Sequence, residues 1–115
     1  MTIWQKELDH QIWLVGAKGR LDQMLTPELE KTLNALLSAH QFRLIIDLSQ
    51  AIYINSGGLR CLVTAWRRTR QQQGNLILFG LTPRLHEIFA MVGFDQVFII
   101  VPTQQQAVAQ LMTND

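Results

Sequence analysis

Leu44-Ile45-Ile46-Asp47-Leu48-Ser49 and, three residues on, Ile52-Tyr53-Ile54-Asn55-Ser56-Gly57-Gly58-Leu59-Arg60 decide the fold. The first run is short and apolar through Leu48, which reads as a strand buried on both faces. A loop is expected after it. Ile52-Tyr53-Ile54 is again strand-like, and Asn55-Ser56-Gly57-Gly58 turns the chain into a helix. Leu59, Leu62, Val63 and Trp66 then recur at helical spacing, so that face should meet the core. Gly74 is expected to stop this helix after Gln71-Gln72-Gln73.

The same strand-then-helix rhythm runs outward in both directions. Upstream, Thr26-Pro27-Glu28 reads as a helix start, with Thr26 as cap and Pro27 in the first turn. Leu29, Leu33, Leu36 and Leu37 give that helix an apolar side, and it should fade by Ala39–Gln41. Before it, residues 3–8 and 12–18 read as two strands around Asp9-His10-Gln11. Trp13, Val15 and Ala17 alternate with Ile12, Leu14 and Gly16, so the second strand should be internal and the first more exposed. Downstream, Leu76-Ile77-Leu78-Phe79 is a strand. Thr82-Pro83 starts a helix with a stripe of Leu85, Ile88, Phe89 and Val92, ended by Gly93. Residues 97–101 read as a last strand. Thr103 and Gln106 form a capping-box pattern ahead of Val108, Leu111 and Met112.

The order predicts an α/β fold: one domain over residues 1–115, with about five strands in a mixed, mainly parallel sheet and about four helices. The 115 residues, 48% hydrophobic and 17% charged, are enough for one core without disulfides or metal. A formal net charge of +1 argues against nucleic acid or an anionic membrane as the main partner. One cysteine, Cys61, forbids an internal disulfide and suits a reducing compartment. Lys6, Glu7 and Asp9 argue against a secretory signal in the first ten residues, and a cytoplasmic protein is expected.

In open α/β sheets, function gathers where strands end and helices begin. Either Asn55 or Ser56 can cap the helix, and both placements put the Ser56 hydroxyl at its positive end. Phosphate there would add roughly 1.5 to 2 negative charges. Read locally, Ser56 is a cap and the glycines a turn. Arg60, Arg67, Arg68 and Arg70 read as a solvated face, and Arg60 lies nearest the loop. His10, His40 and His86 are scattered, so no metal is expected. No catalytic grouping is present, and no cofactor is implied. The strand–glycine–helix context leaves a small nucleotide-binding protein as a rival reading.

These residues resemble the STAS-domain anti-sigma-factor antagonists. The resemblance rests on Asp47-Leu48-Ser49, Tyr53-Ile54, Asn55-Ser56-Gly57-Gly58-Leu59, and Gly19-Arg20-Leu21-Asp22. Leu81-Thr82-Pro83-Arg84-Leu85 and Val92-Gly93-Phe94 extend it over nearly the whole chain. It implies a STAS-like fold and a regulator, not an enzyme. It also implies a partner anti-sigma factor with serine kinase activity, a resetting serine phosphatase, and phosphorylation at Ser56. Asn55 stands where the family has Asp, and Gly57 where it has a second hydroxyl. A STAS module that binds constitutively, without phosphorylation, is therefore the nearest alternative. The implied partner-binding set is Asp22, Asn55, Ser56, Gly57, Gly58 and Arg60. For Asp22, a local turn or cap before the first helix competes with partner contact.

Overall fold

A computed structural model describes residues 2–113. The chain forms β1 (Ile3–Glu7), β2 (Trp13–Leu21), α1 (Thr26–Ser38), β3 (Arg43–Ile54), α2 (Ser56–Gln71), β4 (Asn75–Phe79), α3 (Pro83–Met91), β5 (Ile99–Val101) and α4 (Gln104–Met112). Single 3-10 turns cover Asp9–Gln11 and Phe94–Gln96. The five strands lie in the order β1-β2-β3-β4-β5. β1 is antiparallel to β2, and every later pair is parallel. The element order and mixed, mainly parallel sheet are those expected from the sequence.

Each parallel step adds the next strand on the same side of the last. Right-handed crossovers then put α1, α2 and α3 on one face of the sheet. Alternation along the strands feeds two cores. Val15, Leu44, Ile46, Leu48, Leu76 and Leu78 pack with the apolar sides of α1, α2 and α3. Leu14, Ile45, Ile77 and Phe79 point the other way, onto Ala107 and Leu111 of α4. Burial on both faces explains why Leu44–Ile46 of β3 and Leu76–Phe79 of β4 read as unbroken apolar runs. On β1, Trp4 lies opposite Gly16. A Cβ at Gly16 would come within 2.1 Å of the Trp4 ring, so the glycine leaves room for the indole.

Several local expectations are corrected. The loop expected between Leu48 and Ile52 is absent, because β3 runs unbroken to Ile54. β3 carries an extra residue against β2 at two points, between Gly16 and Lys18 and between Gly19 and Arg20. At the first, Asp47 Oδ1 accepts the backbone N–H of Ser49 at 2.9 Å and its hydroxyl at 2.6 Å. That local turn makes the sequence look like a loop while the strand continues.

Thr26 does not cap α1. Asp22 holds the turn instead, with Oδ1 accepting from Met24 N at 2.9 Å and Leu25 N at 3.2 Å. The last strand is shorter than residues 97–101, since Phe94–Gln96 form a 3-10 turn and β5 begins at Ile99. Val92 leaves the buried stripe of α3 and is 51% exposed. Gly74 follows the stop of α2 without making it. Gln73 takes the left-handed conformation, at φ 64°, and Gly74 N donates to Thr69 O at 2.8 Å.

Candidate partner-docking site

β3 is paired with β4 only as far as Asp47. Beyond that point it runs on against β2 alone, ending with Leu21 opposite Ile54. The second half of β3 therefore carries the Asn55–Arg60 segment past the end of β4. Asn55 N donates to Leu21 O at 3.0 Å, which fixes Asp22 beside the loop.

Of the two possible caps, Asn55 is the one used. Its backbone is extended, at φ −94° and ψ 179°, and its Oδ1 accepts the N–H of Gly58 at 2.8 Å. Asn55 O accepts the N–H of Leu59 at 3.0 Å. Ser56 is thus the first residue of α2, and its side chain is exposed. The cap is uncharged, and the first turn of α2 holds no acidic residue. No fixed carboxylate there competes for the positive end of the helix.

The glycines differ. A Cβ at Gly58 would stand 2.7 Å from Ile54 Cγ1 and 3.4 Å from Thr26 Oγ1, so the backbone of α2 lies tight against β3 and the start of α1. A Cβ at Gly57 meets nothing closer than 3.4 Å, from Asn55 Oδ1. Thr26 Oγ1 is buried here without a hydrogen-bond partner. Hence Asp22 and Asn55–Gly58 are brought together, with α1 on that flank. Arg60 is exposed one turn further along α2. It lines a shallow hollow with Ser56, Leu59, Val63, Val92 and Phe94, on the flank toward α3.

Sequence reasoning missed other parts of this surface. The Arg20 guanidinium lies 4.4 Å from the centre of the Tyr53 ring, a cation–π contact made by register neighbours on β2 and β3. Met24 and Ile52 are exposed nearby in the chain, at 79% and 57%. Strand register, which brings Arg20 to Tyr53, leaves no local mark in the sequence. The hydrophobicity of Met24 in a polar turn was the one available sign. Cys61 is buried, and burial with Glu30 nearby pushes its thiol up to about 12, so it is protonated and unreactive. Among the described residues no group of His, Cys, Asp and Glu could hold a metal ion. No described helix is long and apolar enough to cross a membrane.

A sequentially ordered mixed sheet, three helices on one face, and a serine opening the helix after the central strand define the class: a STAS domain. A family model described as "Mlab, STAS domain" matches residues 5–102, and the chain belongs to that family, in its anti-sigma-factor antagonist branch. The chain is 32% identical over 100 residues to an anti-sigma-B factor antagonist of Listeria monocytogenes, covering 87% of this chain and 86% of that protein. It is 31% identical over 96 residues to BtrV of Bordetella bronchiseptica, a candidate anti-sigma factor antagonist, covering 84% and 83% of the two chains. The fold is that of an anti-sigma factor antagonist from Mycobacterium paratuberculosis, with a TM-score of 0.87 over 96% of this chain and 93% of that one, at 23% identity.

Proposed function

We propose that this protein is an anti-sigma-factor antagonist that acts by partner switching, without catalysing a reaction, in the cytoplasm. Its partner is an anti-sigma factor with serine kinase activity. The unmodified protein docks that partner through Asp22, Asn55, Ser56, Gly57, Gly58 and Arg60. Phosphate on Ser56 weakens docking by charge and bulk, and a serine phosphatase restores it.

One observation carries this reading. Ser56 is an exposed hydroxyl at the first position of α2, on a loop held out beyond β4. A kinase can reach it without unfolding anything. The cap bond runs from Gly58 to Asn55, so modifying Ser56 leaves it in place. The added charge falls at the end of the helix that favours it. The changed quantity is the surface offered to the partner, not the fold.

The test is incubation with the cognate kinase and ATP, followed by intact mass. Wild type should gain one phosphate and Ser56→Ala none. Equal phosphorylation of the two would remove Ser56 from the mechanism. Gly57 and Asn55, which stand where the family carries a second hydroxyl and an Asp, favour a second reading. A protein that stays unmodified under all growth conditions and still holds its partner would be a constitutive docking module.

A further inference from the structure

Helix α2 holds four of the chain's ten basic residues and no carboxylate, while the whole chain carries a net charge of only +1. The remainder of the chain is therefore net acidic, and the positive charge is concentrated on one helix. Helical spacing sorts these arginines. Ser56, Arg60, Val63, Arg67 and Arg70 follow one another at steps of four or three, along a single flank. Arg60, Arg67 and Arg70 are exposed. Arg68 falls outside the row, and its Nη1 donates to Asn34 Oδ1 of α1 at 3.3 Å.

The same flank is apolar beneath its charges. Trp66 packs edge-on against Phe98, and Phe98 against Phe94. Two hollows of about 300 Å³ lie on either side of this aromatic cluster. One is mostly apolar, between Leu59, Val63, Val92 and Phe94; the other sets Arg70, Asn75, Gln110 and Thr113 around Trp66, Val97 and Ile99 and is more polar than apolar. Val92 and Val97, which line the two hollows, are 51% and 38% exposed. Each hollow is at the lower limit of the ~300–1,000 Å³ usual for small-molecule sites. They are shallow seats for single side chains.

We propose that the Ser56–Arg70 flank of α2, with its row of arginines beside one apolar hollow and one more polar one, docks an acidic amphipathic helix of the partner protein. The row is ~21 Å long at 1.5 Å per residue, about four helical turns. An apolar side chain of the incoming helix fills the Leu59–Val63 hollow, a polar one enters the hollow beside Trp66, and carboxylates beside them meet Arg60, Arg67 and Arg70. This is helix-in-groove recognition with complementary charge. Nucleic acid fits less well, because the aromatic rings on the flank, Trp66 and Phe94, are half-buried and engaged with Phe98. The inference deepens the docking role proposed above and rests on it for the partner's identity.

The test uses the full-length protein and a synthetic peptide of roughly 16 residues, with leucines on one helical face and glutamates beside them. In 1H–15N spectra, shifts should concentrate at Arg60, Val63, the Trp66 indole, Phe94 and Val97. Affinity should fall roughly fivefold in Arg67→Glu and fall with added salt. Lys31→Glu, the same charge change on the exposed part of α1, should bind as wild type. Circular dichroism of both variants separates lost binding from lost folding. No shifts, shifts centred elsewhere, or equal binding of a lysine-for-glutamate peptide would overturn the proposal. So would tighter binding of duplex DNA to the same residues. If the anti-sigma kinase does not bind while the peptide still fills the flank, the partner assignment fails and the docking surface stands. If the kinase binds Arg67→Glu as it binds wild type, the docking surface fails and the partner assignment stands.

Discussion

The side-chain oxygen of Asn55 accepts the backbone N–H of Gly58 at 2.8 Å, and this bond sets the first turn of α2 directly beneath Ser56. Asn55→Ala should cost about 1 kcal/mol in urea unfolding. Asn55→Asp keeps the acceptor and adds charge at the positive end of the helix, so it should gain about 0.3–1 kcal/mol at low salt. A loss in Asn55→Asp equal to that in Asn55→Ala would show that the cap bond does not set stability here.

Gly57 and Gly58 should respond oppositely to alanine. A methyl at 58 meets Ile54 Cγ1 at 2.7 Å, and overpacking of this kind costs about 1–3 kcal/mol. A methyl at 57 finds its nearest neighbour at 3.4 Å, in a helical turn where alanine is favoured by about 0.5–1 kcal/mol. Gly57→Ser should fold as well, giving a protein with two adjacent hydroxyls on the docking loop. Thermal melts of the three variants check the order.

Gln73 holds the left-handed position after α2, at φ 64°, where a glycine would sit without strain. Gln73→Gly should therefore stabilise by about 1 kcal/mol. Gly74→Ala should do the reverse, because its Cβ would fall 1.9 Å from Phe42 O. Denaturant midpoints moving the same way in both variants would refute the assignment of roles.

Burial raises the Cys61 thiol to about 12 from 9.0, with Glu30 adding to the effect. The folded protein then keeps a proton that the unfolded chain releases. This contribution to stability is complete below about pH 9 and lost as pH rises toward 12, at up to about 1.4 kcal/mol per unit. Cys61→Ala should show a shallower alkaline fall than wild type. Native protein at neutral pH should react with iodoacetamide far more slowly than protein in denaturant.

Much of this fold is legible in the sequence because each element signals itself locally. The α1 leucines, the all-apolar β4 and the Thr82 and Thr103 caps are patterns within a few residues. Thr82 Oγ1 does accept Leu85 N, and Thr103 Oγ1 does accept Gln106 N. The sequence misleads where a local signal is right in type but belongs to another residue. Asp22, not Thr26, holds the turn into α1, because the carboxylate reaches Met24 and Leu25 first. Ser49-Gln50 reads as a break because Asp47 folds a turn inside a strand. Val92 has the right spacing for the core, but α3 ends beside it and leaves it in solvent.

The loop at Asn55–Gly58 could be read because capping and glycine chemistry are local. Its neighbours could not. Thr26 beside Gly58, Arg20 over Tyr53 and Phe94 beside Val63 join segments far apart in the chain. Only strand register and helix packing bring them together. The arginines of α2 were visible from the start, but their apolar floor comes partly from α3 and the turn after it.

The sheet is laid down in the order in which it is synthesised, with each strand next to the one before. A chain leaving the ribosome can add strands like rungs on a growing ladder, with no vacant slot awaiting a later segment. β1 is the first rung, and β5 is the last. One face of that ladder stays open until α4 arrives, since Ala107 and Leu111 cover Leu14, Ile45, Ile77 and Phe79, so losing the C-terminal helix should uncover the whole of that face.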